Sequence, residues 1–205
     1  MAGVIGATSG KFVLMGAMLL FQGRVDGDRS VIAVAPGASV STIAPGRRAG
    51  ERVRIGIGAM NLVAAKPATG EQPGPKVGLT IGRDVLDANP VMIAFPSHRL
   101  RLLLPAEARR QEARMVAIPV DEQPGGALSV PLAIDDAAAT PVPLDLTSAT
   151  AVVAPTQNPH ATVSIGAHAL PGIAVTAGDT PKVGLLAFAR CTVIFDLSHH
   201  RIWVS

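Results

Sequence analysis

Apolar residues in this chain fall in short runs rather than along a helical stripe. Met18–Val25, Ser30–Ala35, Val91–Phe95, Arg99–Leu104, Met115–Val120, Ala151–Ala154 and Thr192–Leu197 are rich in Val, Ile, Leu and Ala, and Gly, Pro or Asp bounds them. Runs of this length at close spacing predict strands. Val25-Asp26-Gly27-Asp28 carries the Asp-Gly signal of a tight hairpin, since both residues tolerate positive φ. Helical signals are confined to Arg83–Ala88, Leu185–Arg190 and the charged, Ala-rich Ala106–Arg114. The predicted class is all-β, with one short helix in each half and a linking helix between them.

The longest apolar stretch, Phe12 to Phe21, has ten residues, about half of the ~20 that a spanning helix needs. It is expected to be a buried strand and no membrane span is expected. Lys11 ahead of it gives a likeness to a signal-peptide core, but the basic region is weak and no Ala-x-Ala site follows. Gly6-Ala7-Thr8-Ser9-Gly10-Lys11 fails as a phosphate loop. Ile5 replaces its first glycine, and Phe12 stands where a hydroxyl should hold magnesium. Residues 1–11 are expected to be a flexible leader.

Of the 205 residues, 48% are hydrophobic and 16% charged, which supplies a core and argues against disorder. The 21 Gly and 17 Pro favour turns over long helices. A pI near 9.6 reflects a net charge of only +3 in a chain with no Tyr and one Cys. The arginines are scattered in short pairs, Arg47-Arg48 and Arg109-Arg110, and aromatic stacking platforms are scarce, so no nucleic-acid partner is expected. The lone Cys191 excludes an internal disulfide framework and a multi-cysteine zinc site.

Laid on itself, the chain repeats. A shift of 110 sets Val34–Pro45 on Leu144–Pro155 and Ile55-Gly56 on Ile165-Gly166. A shift of 102 sets Ile81-Gly82 on Val183-Gly184 and Val91–Phe95 on Val193–Leu197. Ser97-His98-Arg99-Leu100 and Ser198-His199-His200-Arg201-Ile202 follow, with His98 read against His199. The change of shift implies a loop eight residues shorter in the second copy. The expected organisation is a leader (1–11), an N-terminal lobe (12–105), a linker (106–114) and a C-terminal lobe (115–205).

The order of landmarks in each copy resembles a lobe of the retropepsin-like aspartic peptidases. The pieces are Val31–Ile43, Ile55–Met60 and Ile81-Gly82-Arg83-Asp84-Val85-Leu86, the last being the most family-like string. Leu144–Ala149 and Val183–Phe188 match more loosely. The resemblance covers nearly everything from residue 12 and implies a retropepsin dimer fused into one chain. The fold it implies is bilobal and acid-protease-like, a pair of β-barrels with pseudo-twofold symmetry. Terminal strands, including Arg201–Val204, would pair between lobes and place Trp203 in the interface.

In that family each lobe gives one aspartate to a dyad that shares a proton. One carboxylate activates water while the other polarises the scissile carbonyl. Here the first position is Ala35, followed by Pro36 where the family has Thr or Ser; Gly37-Ala38-Ser39 survive. In the second copy Asp145 survives, but Leu146 replaces the hydroxyl residue and Thr147 the glycine. A cooperating catalytic set typically loses on the order of 10³–10⁶ in rate with one member. The expected protein is therefore a non-catalytic pseudopeptidase holding an extended peptide or protein segment between its lobes. Two alternatives stay open: an aspartic endopeptidase using Asp145 with an unrecognised partner, and a structural or assembly module.

The resemblance implies substrate contacts at Gly37, at Gly56 and Gly58 in the hairpin Arg52–Met60, and at Ile165 and Gly166 in its counterpart Thr162–His168. Strand addition would supply the affinity. Asp26, Asp28, Asp135 and Asp136 are expected in turns, and Asp84 at a helix start, none replacing the lost aspartate. Ser39 and Ser41 are read as bonding neighbouring loop groups. His98, His160, His168, His199 and His200 suggest no third ligand for a metal. Cys191, which the repeat sets on Asn89, is read as a small buried apolar group. No metal and no cofactor is expected. The compartment stays open between periplasm and cytoplasm, as does the oligomeric state, with which a monomer is compatible.

Overall fold

A computed structural model describes residues 10–46, 52–57, 60–64, 67–74, 76–88, 90–123, 126–135, 137–156, 158 and 161–205. The chain is mainly β, 49% strand against 13% helix, in two sheets, one of which curls into a half-barrel. Two α-helices, Arg83–Leu86 and Pro105–Glu112, and three 3₁₀ turns complete it. Among the described residues no helix is long and apolar enough to cross a membrane.

Strand positions follow the apolar runs closely. Met18–Val25 forms as predicted, and Asp28–Val34, Val91–Ala94, Arg99–Leu102, Val116–Pro119, Val152–Ala154 and Thr192–Asp196 differ from expectation by a residue or two at their ends. The turn between Met18–Val25 and Asp28–Val34 has Asp26 at φ 53° and Gly27 at φ 96°, the two positive values of a type I′ hairpin. The stretch Phe12–Phe21 is not one strand. Gly16, at φ 60°, turns it into a hairpin between Gly10–Met15 and Met18–Val25. Burial alternates along each arm, leaving Val13 69% exposed while Phe12 and Leu19 enter the core. Gly10 and Lys11, inside the segment expected as leader, are in strand structure, because they pair with Leu100 and Arg99.

The larger sheet is assembled from the beginning, middle and end of the sequence. Val116–Pro119, Arg201–Val204, Thr192–Asp196, Val91–Ala94, Arg99–Leu102 and Gly10–Met15 lie side by side in that order. At the centre, Val91–Ala94 runs antiparallel to Thr192–Asp196, with Met92 opposite Ile194 and Ile93 opposite Val193. Met92 and Ile194 are also the positions that a shift of 102 superposes. On either side the pattern recurs. Arg99 faces Ala94 as Arg201 faces Asp196, and the carbonyls of His98 and His200 accept from the amides of Phe12 and Val120, each at 2.9 Å.

Those histidines correct one detail of the repeat. His98 (φ 50°) and His200 (φ 55°) each close a 3₁₀ turn in the left-handed region, after Phe95–Ser97 and Leu197–His199. His200, not His199, is thus the counterpart of His98. The helix expected over Leu185–Arg190 is a 3₁₀ turn, Leu185–Phe188, whose Leu185, Ala187 and Phe188 are buried. At the position that the repeat sets against it stands a single α-turn, Arg83–Leu86. The linking helix Pro105–Glu112 starts on proline, whose missing N–H is no loss there. Glu107 accepts from the Leu104 amide at 3.2 Å and pairs with Arg101 at 2.9 Å.

One large core runs through both halves of the chain, from Phe12, Leu19 and Ile32 to Val183, Phe188 and Ile202. Ile93 sits in it at the central strand pair, 1% exposed. Ile93→Ala should destabilise the protein by about 2–5 kcal/mol, read as a lower urea midpoint in chemical unfolding.

Candidate functional site

Two loops built alike carry the positions singled out in the sequence. Asp28–Val34 runs parallel to Val77–Ile81, and Thr140–Asp145 parallel to Lys182–Gly184. Beyond the first, the Ala38 amide donates to the Ala35 carbonyl at 2.9 Å and the Arg83 amide to the Ala38 carbonyl at 2.7 Å. Beyond the second, the Ser148 amide donates to the Asp145 carbonyl and the Leu185 amide to the Ser148 carbonyl, both at 3.1 Å. A Cβ on Gly82 would lie 2.6 Å from the Val40 carbonyl oxygen, and one on Gly184 2.3 Å from that of Thr150. These glycines let a turn cross the loop at backbone contact. Ala35 and Asp145 therefore occupy the same place in two matching loops.

The loops also touch each other. A Cβ on Gly37 would meet the Thr147 amide nitrogen at 2.6 Å and the Leu146 carbonyl carbon at 2.7 Å. Gly37 is needed for this approach between chain segments more than a hundred residues apart, not for an unusual φ. Pro36 and Leu146, at the positions where the resemblance calls for hydroxyls, are both buried. The space beside them is a cavity of about 160 Å³, lined by Pro36, Gly37, Arg83, Leu128, Asp145 and Thr147 among others.

Asp145 is held as a carboxylate. Its Oδ1 accepts from the Thr147 hydroxyl at 2.5 Å and from the Thr147 amide at 3.2 Å, and its Oδ2 pairs with Lys182 Nζ at 3.2 Å. The Thr147 hydroxyl, foremost, and Lys182 hold its carboxyl below the usual carboxylate range, against a smaller opposing effect of burial. A general acid in a proton-sharing pair needs the opposite displacement. Neither Thr147 nor Lys182 stood out in the sequence as a partner of Asp145. The Asp-x-Thr spacing, which favours a local side-chain turn, and the parallel pairing that brings Lys182–Gly184 beside Asp145 are the signals that could have found them.

Four other carboxylates are engaged elsewhere. Asp26 Oδ1 accepts from the Arg54 amide at 2.8 Å and Asp135 Oδ1 from the Thr162 amide at 2.9 Å, each pinning a hairpin turn. Asp84 accepts from Ser41 Oγ at 2.7 Å, and the same wholly buried hydroxyl accepts from the Gly82 amide at 2.9 Å. Asp87 pairs with Arg83 at 3.5 Å, and burial pushes its carboxyl up. Asp136 lies outside the described residues, as do His160, Asn89, Arg47, Arg48 and Gly58.

The expected substrate contacts fare unevenly. Gly37 lies at the meeting of the loops. Gly56, in Val53–Ile57, pairs with Arg24 and Asn61 within the sheet. The Ile165 side chain is wholly buried in the core. Gly166, at φ 57°, turns the hairpin Val163–Ile165/His168–Ala169 beside Ile118 and Pro119, where its amide donates to the Pro131 carbonyl at 2.8 Å. That hairpin rests on the strand Val116–Pro119.

Cys191 Sγ lies 3.7 Å from His168 Nε2. Burial pushes the thiol up and the imidazole down, so both are neutral and the pair is no thiolate nucleophile. His199 Nδ1 takes both Asp196, at 2.7 Å, and Ser198, at 3.3 Å, on one nitrogen. A catalytic relay would use both ring nitrogens. Among the described residues no three His, Cys, Asp or Glu gather around a point that could hold a metal ion.

Comparison with protein-family models finds no match, and no curated protein matches the chain.

Gly37→Ala should force the two loops apart and cost on the order of 1–3 kcal/mol, measured as a drop in thermal midpoint. The lowered pKa of Asp145 has a signed consequence. Its stabilisation is complete above the unfolded value of about 3.9 and is lost as pH falls through the lower folded value. Asp145→Asn should therefore be less stable than the parent at neutral pH, and the gap should close below about pH 4 in urea unfolding at stepped pH.

Proposed function

We propose that the chain is a bilobal, retropepsin-like protein in which the catalytic pair has been replaced by a structural contact. Its lobes, about 12–105 and 115–205, are taken as related by a pseudo-twofold axis at the Met92–Ile194 pair. The recurrence of pairings and loop hydrogen bonds on either side of that pair supports this. The observation that carries the functional reading is the meeting of Gly37 with Thr147. It brings together the two loops in which such a family keeps its aspartates, here bearing Ala35 and a salt-bridged Asp145. With one carboxylate and no proton to share, peptide-bond hydrolysis lacks its base-and-acid pair.

On this reading the protein works by binding an extended peptide segment, main chain to main chain, without cleaving it. A second reading, a structural or assembly module, is favoured by one observation. Ala35, Pro36 and Leu146 are buried, and the cavity beside them, at about 160 Å³, is smaller than the ~300–1,000 Å³ of typical ligand pockets.

Incubation with unfolded casein from pH 3 to 7 should yield no fragments by mass spectrometry, while casein should be retained on the immobilised protein. Retention without cleavage supports the binding reading, and neither retention nor cleavage supports the module. Fragments that disappear in Asp145→Ala would restore the peptidase.

A further inference from the structure

A larger cavity lies between the linking helix Pro105–Glu112 and the turn Leu197–His199. It has a volume of about 590 Å³ and shares no lining residue with the cavity at Asp145. That volume falls in the range of small-molecule sites. Trp203 forms part of its wall and packs with Leu103, Ala108 and Ile194 in a small apolar cluster separate from the main core. The Arg201 guanidinium stands over the indole, 5.9 Å from its centroid. Arg109 enters from the helix, and both guanidinium side chains are exposed. Among the described residues neither arginine has an ion-pair partner.

The acidic groups in the same wall are differently placed. Asp196 is engaged by His199 at 2.7 Å and by Ser198 at 3.2 Å. Glu112, the second carboxylate of the wall, lies within electrostatic reach of Arg109 and Arg201. An apolar aromatic wall with two planar cations, neither in an ion pair among the described residues, suits a flat ligand carrying one negative charge, since guanidinium forks match carboxylates and stack on rings.

We infer that this cavity binds a small aromatic carboxylate, its ring against Trp203 and its charge toward Arg109 and Arg201. The site does not depend on the peptidase resemblance. Burial and the nearby Asp196 push the Glu112 carboxyl up, against His199, Arg109 and Arg201, which favour its charged form.

The chain has a single Trp and no Tyr, so one indole N–H signal and one dominant emission report on this wall alone. Titration with benzoate, with benzyl alcohol and acetate as comparators, tests the assignment by the ¹H–¹⁵N indole resonance. The expected result is a saturable shift with benzoate and at least ~10-fold weaker responses to the comparators. Arg109→Gln and Arg201→Gln, made singly and together, should weaken benzoate binding, the pair by at least ~10-fold, while the rest of the spectrum is retained. Arg109 lies on an exposed helix face, so its variant keeps the test readable if the other misfolds. No saturable shift, an equal response to acetate or benzyl alcohol, or indifference to both substitutions would overturn the inference.

Discussion

The pairing of Val91–Ala94 with Thr192–Asp196 is the constraint on which the rest of the structure depends. It joins segments a hundred residues apart through main-chain hydrogen bonds, with Met92 opposite Ile194. On each side of it lie a 3₁₀ turn, a left-handed histidine and a returning strand. Register in a sheet moves every side chain to the other face when it slips by one residue. The burial of Ile93 and Val193 into one core therefore fixes the alignment. Once it is fixed, the halves are held in one mutual orientation, and the approach of Gly37 to Thr147 adds a second contact between them.

At that contact the two loops share a backbone pattern and differ in their side chains. Ala35 and Asp145 close their loops with the same amide-to-carbonyl bonds. What differs is where the side chains find partners. Asp145 draws a hydroxyl from Thr147 and an ammonium from Lys182, and both favour its charged form. Buried Pro36 and Leu146 offer no hydrogen bond across the gap.

Much of this was legible in the sequence because strand signals are local. Alternation in Met18–Val25, the Asp-Gly turn and the two-shift repeat depend on neighbours or on comparison of the chain with itself. The misses were of another sort. Gly16 was read as a member of an apolar run, although only its freedom at positive φ ends the strand. Leu185–Phe188 has helical composition but tightens to a 3₁₀ turn, as its three buried residues press on the core. Lys182 reaches Asp145 through parallel pairing, which no short spacing announces. The side chain of Ile165 points into the interior, a fact of register rather than of residue type.

The central strand pair also has a kinetic meaning. Its partners are separated by most of a domain's length of chain, and six strands of the larger sheet come from the beginning, middle and end of the sequence. The entropy of closing so long a loop must be met before those contacts give anything back. Each half can assemble its hairpins early, from Met18–Val25 with Asp28–Val34 and from Leu128–Ile134 with Thr140–Asp145. Loop-closure entropy places the join last, and until it forms the edges of Val91–Ala94 and Thr192–Asp196 are expected to be open to strands from other molecules.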